Sequence, residues 1–292
     1  MRTLSLLVLL ANLASAEDLS RIEHSLRQSY VTQTRTLQKF YSDSHLKYDA
    51  SGALVGPGHP GSWTLGYVTI NRLKLTQSQL EVRGNRVAVR IDETNHKSYI
   101  RENEDVRIDI ALSATPDEAT LRSAMDRVFY MPDTSIASDV PDYWRDLLSG
   151  NVVRAASPDG LRPFSFKNGC PSGISTDTPL QAEPSGVQKI VCDGLTIYFA
   201  VKGGVKPPKA LHAPDPQYAE VARQAKYQGT TVLWLVVDQT GRTQMIRIVR
   251  AIGMGLDDAA VAAVRTWLFQ PAELNGQSVA VQINVEVNFR LY

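Results

Sequence analysis

The chain has 292 residues, with 31 Lys and Arg against 30 Asp and Glu and a formal net charge of +1. That length accommodates two modest domains, each with a buried core. The near-neutral balance, with no block of five like charges, excludes the basic face a nucleic-acid binder needs and an electrostatic grip on a membrane surface.

Arg2 is followed by a stretch from Leu4 to Leu13 that is apolar apart from Ser5 and Asn12. Ala14-Ser15-Ala16 and the polar pair Glu17-Asp18 come next. A positive start, a short apolar run and a small-x-small site are the layout of a secretory signal peptide, so residues 1–16 are expected to be removed on export. The competing reading is an uncleaved anchor, but the run is about ten residues and a bilayer span takes roughly twenty. No cysteine follows the run to carry a lipid.

Residues 17–201 are expected to form a β-rich antiparallel domain with one or two helices. From Ser29 to Leu112 the chain reads as successive short strands. Tyr67, Thr69 and Asn71 alternate with Val68, Ile70 and Arg72, which implies a sheet with one wet face. Leu80 and Val82, then Gly84-Asn85, then Val87, Val89 and Ile91 read as a hairpin around a two-residue turn. Gly56-Pro57-Gly58-His59-Pro60-Gly61 reads as a loop. A helix follows, with Thr115 as cap, Pro116 in its first turn and Glu118 completing a capping box. Leu121, Ala124, Met125, Val128 and Phe129 recur at helical spacing. From Met131 to Gly194 the composition predicts loops, with a short helix near Tyr143 to Leu148. A strand from Leu195 to Val201 is expected to close this domain.

Cys170 and Cys192 are the only cysteines. In an exported, oxidising compartment a disulfide is the natural reading, with two buried thiols as the alternative. The bridge would contribute roughly 3 kcal/mol by the chain-entropy argument.

Residues 202–209, Lys-Gly-Gly-Val-Lys-Pro-Pro-Lys, read as a linker of flexible glycines and a stiff proline pair. Beyond it, residues 210–292 carry a new pattern. Asp215-Pro216 is expected to begin a helix with Tyr218, Val221, Ala222 and Ala225 toward the core, ending at Gly229. Thr231 to Val237 is an apolar strand suited to the centre of a sheet. Asp238-Gln239-Thr240-Gly241 is a turn, and Met245 to Val249 the return strand. Leu256-Asp257 opens a second helix, with Ala260, Val261, Val264 and Trp267 on its buried face and Phe269-Gln270-Pro271 as its stop. Leu274-Asn275-Gly276-Gln277 is a turn. Val279 to Leu291 is a long last strand in which Val281, Ile283, Val285, Val287 and Phe289 alternate with polar residues. The expected fold class is α+β throughout.

These residues resemble the TonB C-terminal domain family. The resemblance is carried by Pro216-x-Tyr218, Ala222-Arg223, Gly229-Thr230, Val237-Asp238-x-x-Gly241-Arg242 and Leu256-Asp257-x-x-Ala260. It continues through Val264-Arg265-x-Trp267-x-Phe269-x-Pro271-Ala272 and Asn275-Gly276. It spans roughly Lys206 to Tyr292. Ala219 departs from it, standing where the family often has proline. The resemblance implies an antiparallel sheet packed with two helices, and a last strand whose free edge accepts an extended peptide. By position it implies Asp215, Gln217 and Tyr218, with backbone groups of Gln282, Asn284 and Glu286, as partner-binding candidates. The implied partners are peptide segments of TonB-dependent outer-membrane transporters, with inner-membrane motor proteins and a second copy of the chain as further candidates. Family transducers carry a membrane anchor and a long Pro-rich spacer, whereas eight linker residues in polyproline form reach only about 25 Å.

Catalytic and cofactor patterns are weak by comparison. Gly253-x-Gly255 lacks a third glycine, and Asp258 at that position would repel a pyrophosphate. A turn into a helix whose first turn favours Asp257 and Asp258 is the better reading. Ser44-x-x-Lys47 has no partner motif. The five histidines are scattered without metal-ligand spacing. Glu102, Glu104 and Asp105 read as a solvated acidic run. Trp234 and Trp267 read as core residues, and Trp63 and Trp144 as either packing or exposed anchors. The expectation is a periplasmic binding protein with no cofactor, metal or catalytic site. The alternative is a periplasmic adaptor that uses its last domain for docking or dimerisation beside a ligand- or envelope-binding β domain.

Overall fold

The computed structural model of the protein describes residues 16–112, 117–132, 134–154, 164–182, 186–199 and 204–291. Residues 1–15 of the expected signal peptide, the cap residues Thr115 and Pro116, residues 200 and 201 of the strand expected to close the first domain, and linker residues 202 and 203 lie outside these. The contacts divide the chain into two compact units. One gathers the described residues up to Gly61 with Leu65–Val87 and Arg101–Thr134, and the other holds Ser62–Thr64, Ala88–Ile100 and Ser135 onward.

The first unit opens with helix α1 (Ala16–Tyr30). Its strands are β1 (Thr34–Thr36), β2 (His45–Tyr48), β3 (Tyr67–Leu75) and the parts of β4 (Gln79–Ile91) and β5 (Lys97–Ala111) that fall in this unit. They form one sheet in the order β1-β3-β4-β5-β2. β1 and β4 flank β3 antiparallel, while β2 joins β5 in parallel, a departure from the all-antiparallel expectation. Ile22, Leu26 and Tyr30 of α1 are buried at helical spacing, on the same core as Val68, Ile70, Leu80 and Ile108. The strands are longer than expected, and the hairpin read at Gly84-Asn85 is overturned. Both residues sit inside β4, where Gly84 faces Ile70 across a bulge that leaves Asn71 extra. A Cβ on Gly84 would lie 2.3 Å from the Thr69 carbonyl oxygen, so glycine here serves close strand approach rather than a turn. The same bulge explains why Val68 and Ile70 are buried, then Leu73 and Leu75: one extra residue shifts the period-two phase.

Helix α2 (Glu118–Val128) buries Leu121, Ala124, Met125 and Val128 as the spacing predicts. Its cap is Asp117, whose side chain accepts from the Thr120 N–H at 2.8 Å. Phe129 lies past the helix end, bridged to Leu37. The acidic run expected in a loop lies in β5.

The second unit contains helix α3 (Asp142–Leu148), then β6 (Val152–Arg154), β7 (Phe164–Phe166), β8 (Thr176–Ala182), β9 (Gln188–Cys192) and β10 (Leu195–Phe199). The short helix was expected, but the strands replace what composition read as loops. After them come β11 (Lys209–His212), α4 (Glu220–Gln224), β12 (Gly229–Val237), β13 (Thr243–Arg250), α5 (Leu256–Val264), β14 (Leu268–Gln270), β15 (Ala272–Leu274), β16 (Gln277–Val279) and β17 (Val281–Phe289).

One six-stranded sheet runs β13-β12-β17-β10-β9-β8. The strand expected to close the N-terminal domain is thus part of this sheet, beside the last strand. Cys170 and Cys192 are bonded, and both are buried. They join Phe164, Phe166, Ile190 and Ile197 in a cluster with Val232, Trp234 and Val236 of β12. On the opposite face, Thr231 bonds Asp257 of α5, so Leu233, Leu235 and Val237 point the same way by alternation. Both faces of β12 are covered, which accounts for its unbroken apolar run.

Helix α4 is shorter than expected. Residues 213–219 are not helical, the helix starts after Ala219, and Lys226 at φ 50 follows its end. Only Ala222 of the expected apolar set is fully buried, and Gly229 opens β12. Helix α5 buries Ala260, Val261 and Val264 but stops there. Trp267 lies beyond it, and Phe269-Gln270 belongs to β14, paired with β11. Asn275-Gly276 turns β15 into β16 as expected. Ala280 then separates β16 from β17.

Candidate functional site

The site expected on the last strand is built on β12 and β17. These pair antiparallel without a register break, from Gly229↔Phe289 to Val237↔Val281. On the other side of β17 only two pairs form: Tyr198↔Val281 and Phe199↔Gln282, in parallel with β10. Among the described residues, Ile283–Phe289 has a strand partner on the β12 side alone.

The direction of the backbone groups follows from one hydrogen bond. The Tyr198 N–H donates to the Ala280 carbonyl at 2.9 Å, so the polar groups of Ala280 face β10. Period two then turns the N–H and C=O of Gln282, Asn284, Glu286 and Asn288 to that same edge, and those of Ile283, Val285 and Val287 toward β12.

Side-chain burial departs from simple alternation. Val281, Val287 and Phe289 are buried, but Ile283 and Val285 are only half-buried. Gln282, expected to face solvent, is 4% exposed, since it pairs with Val236 and so lies on the sheet face that carries the disulfide cluster. Its amide donates to Asn284 Oδ1 at 3.3 Å. Asn284 is half-buried, and its Nδ2 is buried without a hydrogen-bond partner. Glu286 is exposed.

Tyr218 meets the far end of the same strand. Its ring stands edge-on to Phe289 with centroids 5.5 Å apart, and its hydroxyl donates to the Tyr227 carbonyl. Burial pushes its pKa up. These contacts hold Tyr218 as a packing residue, and the preceding segment lies outside the helix expected there. Asp215 and Gln217 are exposed on that segment, which is tied down by the Trp267 indole N–H donating to the Pro214 carbonyl at 3.0 Å. The structure therefore brings Gln282, Asn284 and Glu286 together on one edge and Tyr218 to its distal end.

The opposite edge of the sheet, β13, is built differently. Two register shifts interrupt its pairing with β12, and Met245 in the second has φ 52. Helix α3 packs against it, with Arg247 Nε 3.0 Å from Asp146 Oδ2 and both side chains buried. A cleft of about 220 Å³ beside it is lined by Asp142, Tyr143, Gln244, Met245, Arg247 and Arg265. Asp258 Oδ1 accepts from both the Tyr143 hydroxyl and the Trp144 indole at 3.0 Å.

The Gly253-x-Gly255 turn is closed by protein groups. Asp257 accepts from the N–H groups of Ile252 at 3.0 Å and Gly253 at 2.7 Å, and from the Thr231 hydroxyl at 2.6 Å. Burial pushes its pKa up to about 7. At Gly253, with φ +86, a Cβ would lie 2.0 Å from the Val89 carbonyl oxygen. Trp63 and Trp144 are both buried and meet edge to face at 5.2 Å, which makes them packing residues. Among the described residues no group of three or more His, Cys, Asp or Glu side chains is arranged to hold a metal, and no helix is long and apolar enough to cross a membrane.

Two participants are not anticipated by the sequence: β10 as a neighbour of β17, and Phe289 as the seat of Tyr218. The second has a local signal, an aromatic on the apolar face of the strand. The first has none.

Residues 214–291 match the family described as "Gram-negative bacterial TonB protein C-terminal". Protein tonB2 of Pseudomonas aeruginosa is 33% identical over 82 residues, covering 28% of this chain and 30% of that protein. Protein TonB of Xanthomonas campestris pv. campestris is 35% identical over 77 residues, covering 26% of this chain and 34% of that protein. The chain thus spans about a third of the length of these curated relatives. The solution NMR structure of Pseudomonas aeruginosa TonB CTD is 22% identical, covering 29% of this chain and 86% of that one at a TM-score of 0.25.

Proposed function

With residues 214–291 as a TonB C-terminal domain, we propose that this chain is an exported periplasmic protein that binds an extended segment of an outer-membrane transporter by strand addition, in energy-dependent transport across that membrane. The observation that carries the reading is the edge of β17. Asn284, Glu286 and Asn288 turn their main-chain groups away from β12, and among the described residues the paired part of that edge ends at Gln282. An edge with outward N–H and C=O groups is what strand addition requires. The bulged, helix-packed edge of β13 suits it poorly. Asp215, Gln217 and Tyr218 enter as candidates at the distal end of the site.

A second reading, a periplasmic adaptor, is favoured by the sharing of one sheet between β8–β10 and the TonB-type strands. In that reading the same edge pairs with an envelope partner or a second copy of the chain. Retention of the full oxidised chain on immobilised peptides from transporter N-terminal segments tests the choice. Capture that free peptide competes away supports the first reading. A chain that ignores every such peptide and self-associates in sedimentation supports the second.

A further inference from the structure

The strand beside the start of β17 comes from this same chain, and it lies on the edge assigned above to the partner. We infer that β10 is a built-in occupant of that edge, pinned by the Cys170–Cys192 bridge, which confines a partner strand to Ile283–Phe289 until β10 is released. The inference rests on the strand-addition reading and adds its regulation.

The geometry separates a strong attachment of β10 from a weak one. Toward β9 it forms five antiparallel pairs, from Leu195↔Cys192 to Phe199↔Gln188. Cys192, at the end of β9, is bonded to Cys170. Ile197 is fully buried in the same cluster as both cysteines, and Phe166 of that cluster meets Trp234 edge to face at 5.0 Å. Toward β17 it forms two parallel pairs, with the Tyr198 N–H on the Ala280 carbonyl. The disulfide lobe thus carries β10 to the edge, while the edge contact itself is short. Release from β17 breaks the two edge pairs and uncovers part of the cluster around Ile197, while the five pairs with β9 can stay.

Position along the edge gives the occupancy its consequence. The outward main-chain groups of β17 fall at Ala280, Gln282, Asn284, Glu286 and Asn288. Up to Phe199, its last described residue, β10 covers the first two, and the half-buried Ile283 and Val285 follow on the strand. A partner strand on the closed form starts at Ile283. On the open form it gains the Ala280 and Gln282 groups, one or two further main-chain hydrogen bonds, each worth about fivefold in affinity.

Tyr198→Pro isolates the effect. It deletes the donor to Ala280 and spares the β9 bonds, because Ile197 and Phe199 face β9 by alternation. The full chain is titrated with a labelled synthetic peptide from a transporter N-terminal segment, with amide exchange read at Gln282, Asn284, Glu286 and Asn288. The parent should show Gln282 protected before peptide is added, and the other three protected only by peptide. The variant should expose Gln282 in the free state and bind about five- to twenty-five-fold more tightly. A Cys170→Ser/Cys192→Ser variant, folded by circular dichroism, should move the same way. If folded Tyr198→Pro exposes Gln282 but binds with parental affinity while peptide still protects 284–288, β10 is not a competitor and strand addition stands. If peptide protects none of the four amides in any variant, both the inference and the reading beneath it fall. If Tyr198→Pro binds more tightly and the cysteine variant does not, the disulfide has no part in the control.

Discussion

Asp146 and Arg247 form an ion pair at 3.0 Å with the carboxylate fully buried and the guanidinium 8% exposed. Asp146 also accepts from the Ser172 N–H at 2.9 Å and hydroxyl at 2.7 Å, and from Asn151 at 2.5 Å. One carboxylate therefore joins α3, the segment beside Cys170 and the edge strand β13. Removing one partner leaves an uncompensated buried charge, so Arg247→Met should cost about 3–5 kcal/mol in urea unfolding. Adding Asp146→Asn should recover part of that loss, since it neutralises the stranded charge and keeps an acceptor for Ser172.

The disulfide closes a sequence separation of 22 and sits in the cluster covering one face of β12. Reduction should lower the stability of the second unit by about 3 kcal/mol through the entropy of the unfolded chain. Urea midpoints with and without reductant, against Cys170→Ser/Cys192→Ser, check this. Equal midpoints would show that the lobe holds without its bridge.

Asp257 is wholly buried, and its pKa is raised from 3.8 to about 7, chiefly by loss of hydration. The folded state then binds more protons than the unfolded state between those values, so stability falls as pH rises. This contribution is fully present below 3.8 and lost as pH passes about 7. Glu102 of the first unit, raised to about 7 mainly by burial, acts in the same sense. Asp257→Asn should remove the second unit's share of this slope, while costing about 1–3 kcal/mol because its amide cannot accept from every donor now satisfied. Unfolding curves from about pH 4 to pH 8 on Asp257→Asn and Glu102→Gln separate the two groups.

Proline substitutions along β17 should divide by orientation. Asn284→Pro and Glu286→Pro delete outward N–H groups and should leave the sheet folded while weakening peptide binding about fivefold or more. Val285→Pro deletes a donor to β12 and should unfold the second unit. Circular dichroism and peptide titration on all three give the pattern. Folded Asn284→Pro and Glu286→Pro proteins with parental affinity would rule out this edge.

Features encoded in neighbouring residues are legible in the sequence itself. The spacing of Leu121, Ala124, Met125 and Val128 places a helix. Asn275-Gly276 places a turn, and the unbroken apolar run of β12 predicts cover on both faces. The motif string from Pro216 to Gly276 carries the resemblance that the family match over residues 214–291 bears out, and two lone cysteines in a chain read as exported give the bridge. Where local signals mislead, a distant contact outweighs them. Gly84-Asn85 looks like a turn because both residues suit one, yet Gly84 is there for the Thr69 carbonyl across β3. Asp215-Pro216 looks like a helix start, yet residues 213–219 stay outside the helix, with Tyr218 held by Tyr227 and Phe289.

The neighbour of the last strand is decided by tertiary structure alone. The alternation of β17 fixes which side chains are apolar but is silent on which strand lies beside its outer edge. Main-chain pairing reads no side-chain code, so nothing in Leu195–Phe199 marks it as a partner of Val281 and Gln282. That pairing arises because the disulfide and the cluster around Trp234 carry β10 to the edge, through residues far from β17 in sequence.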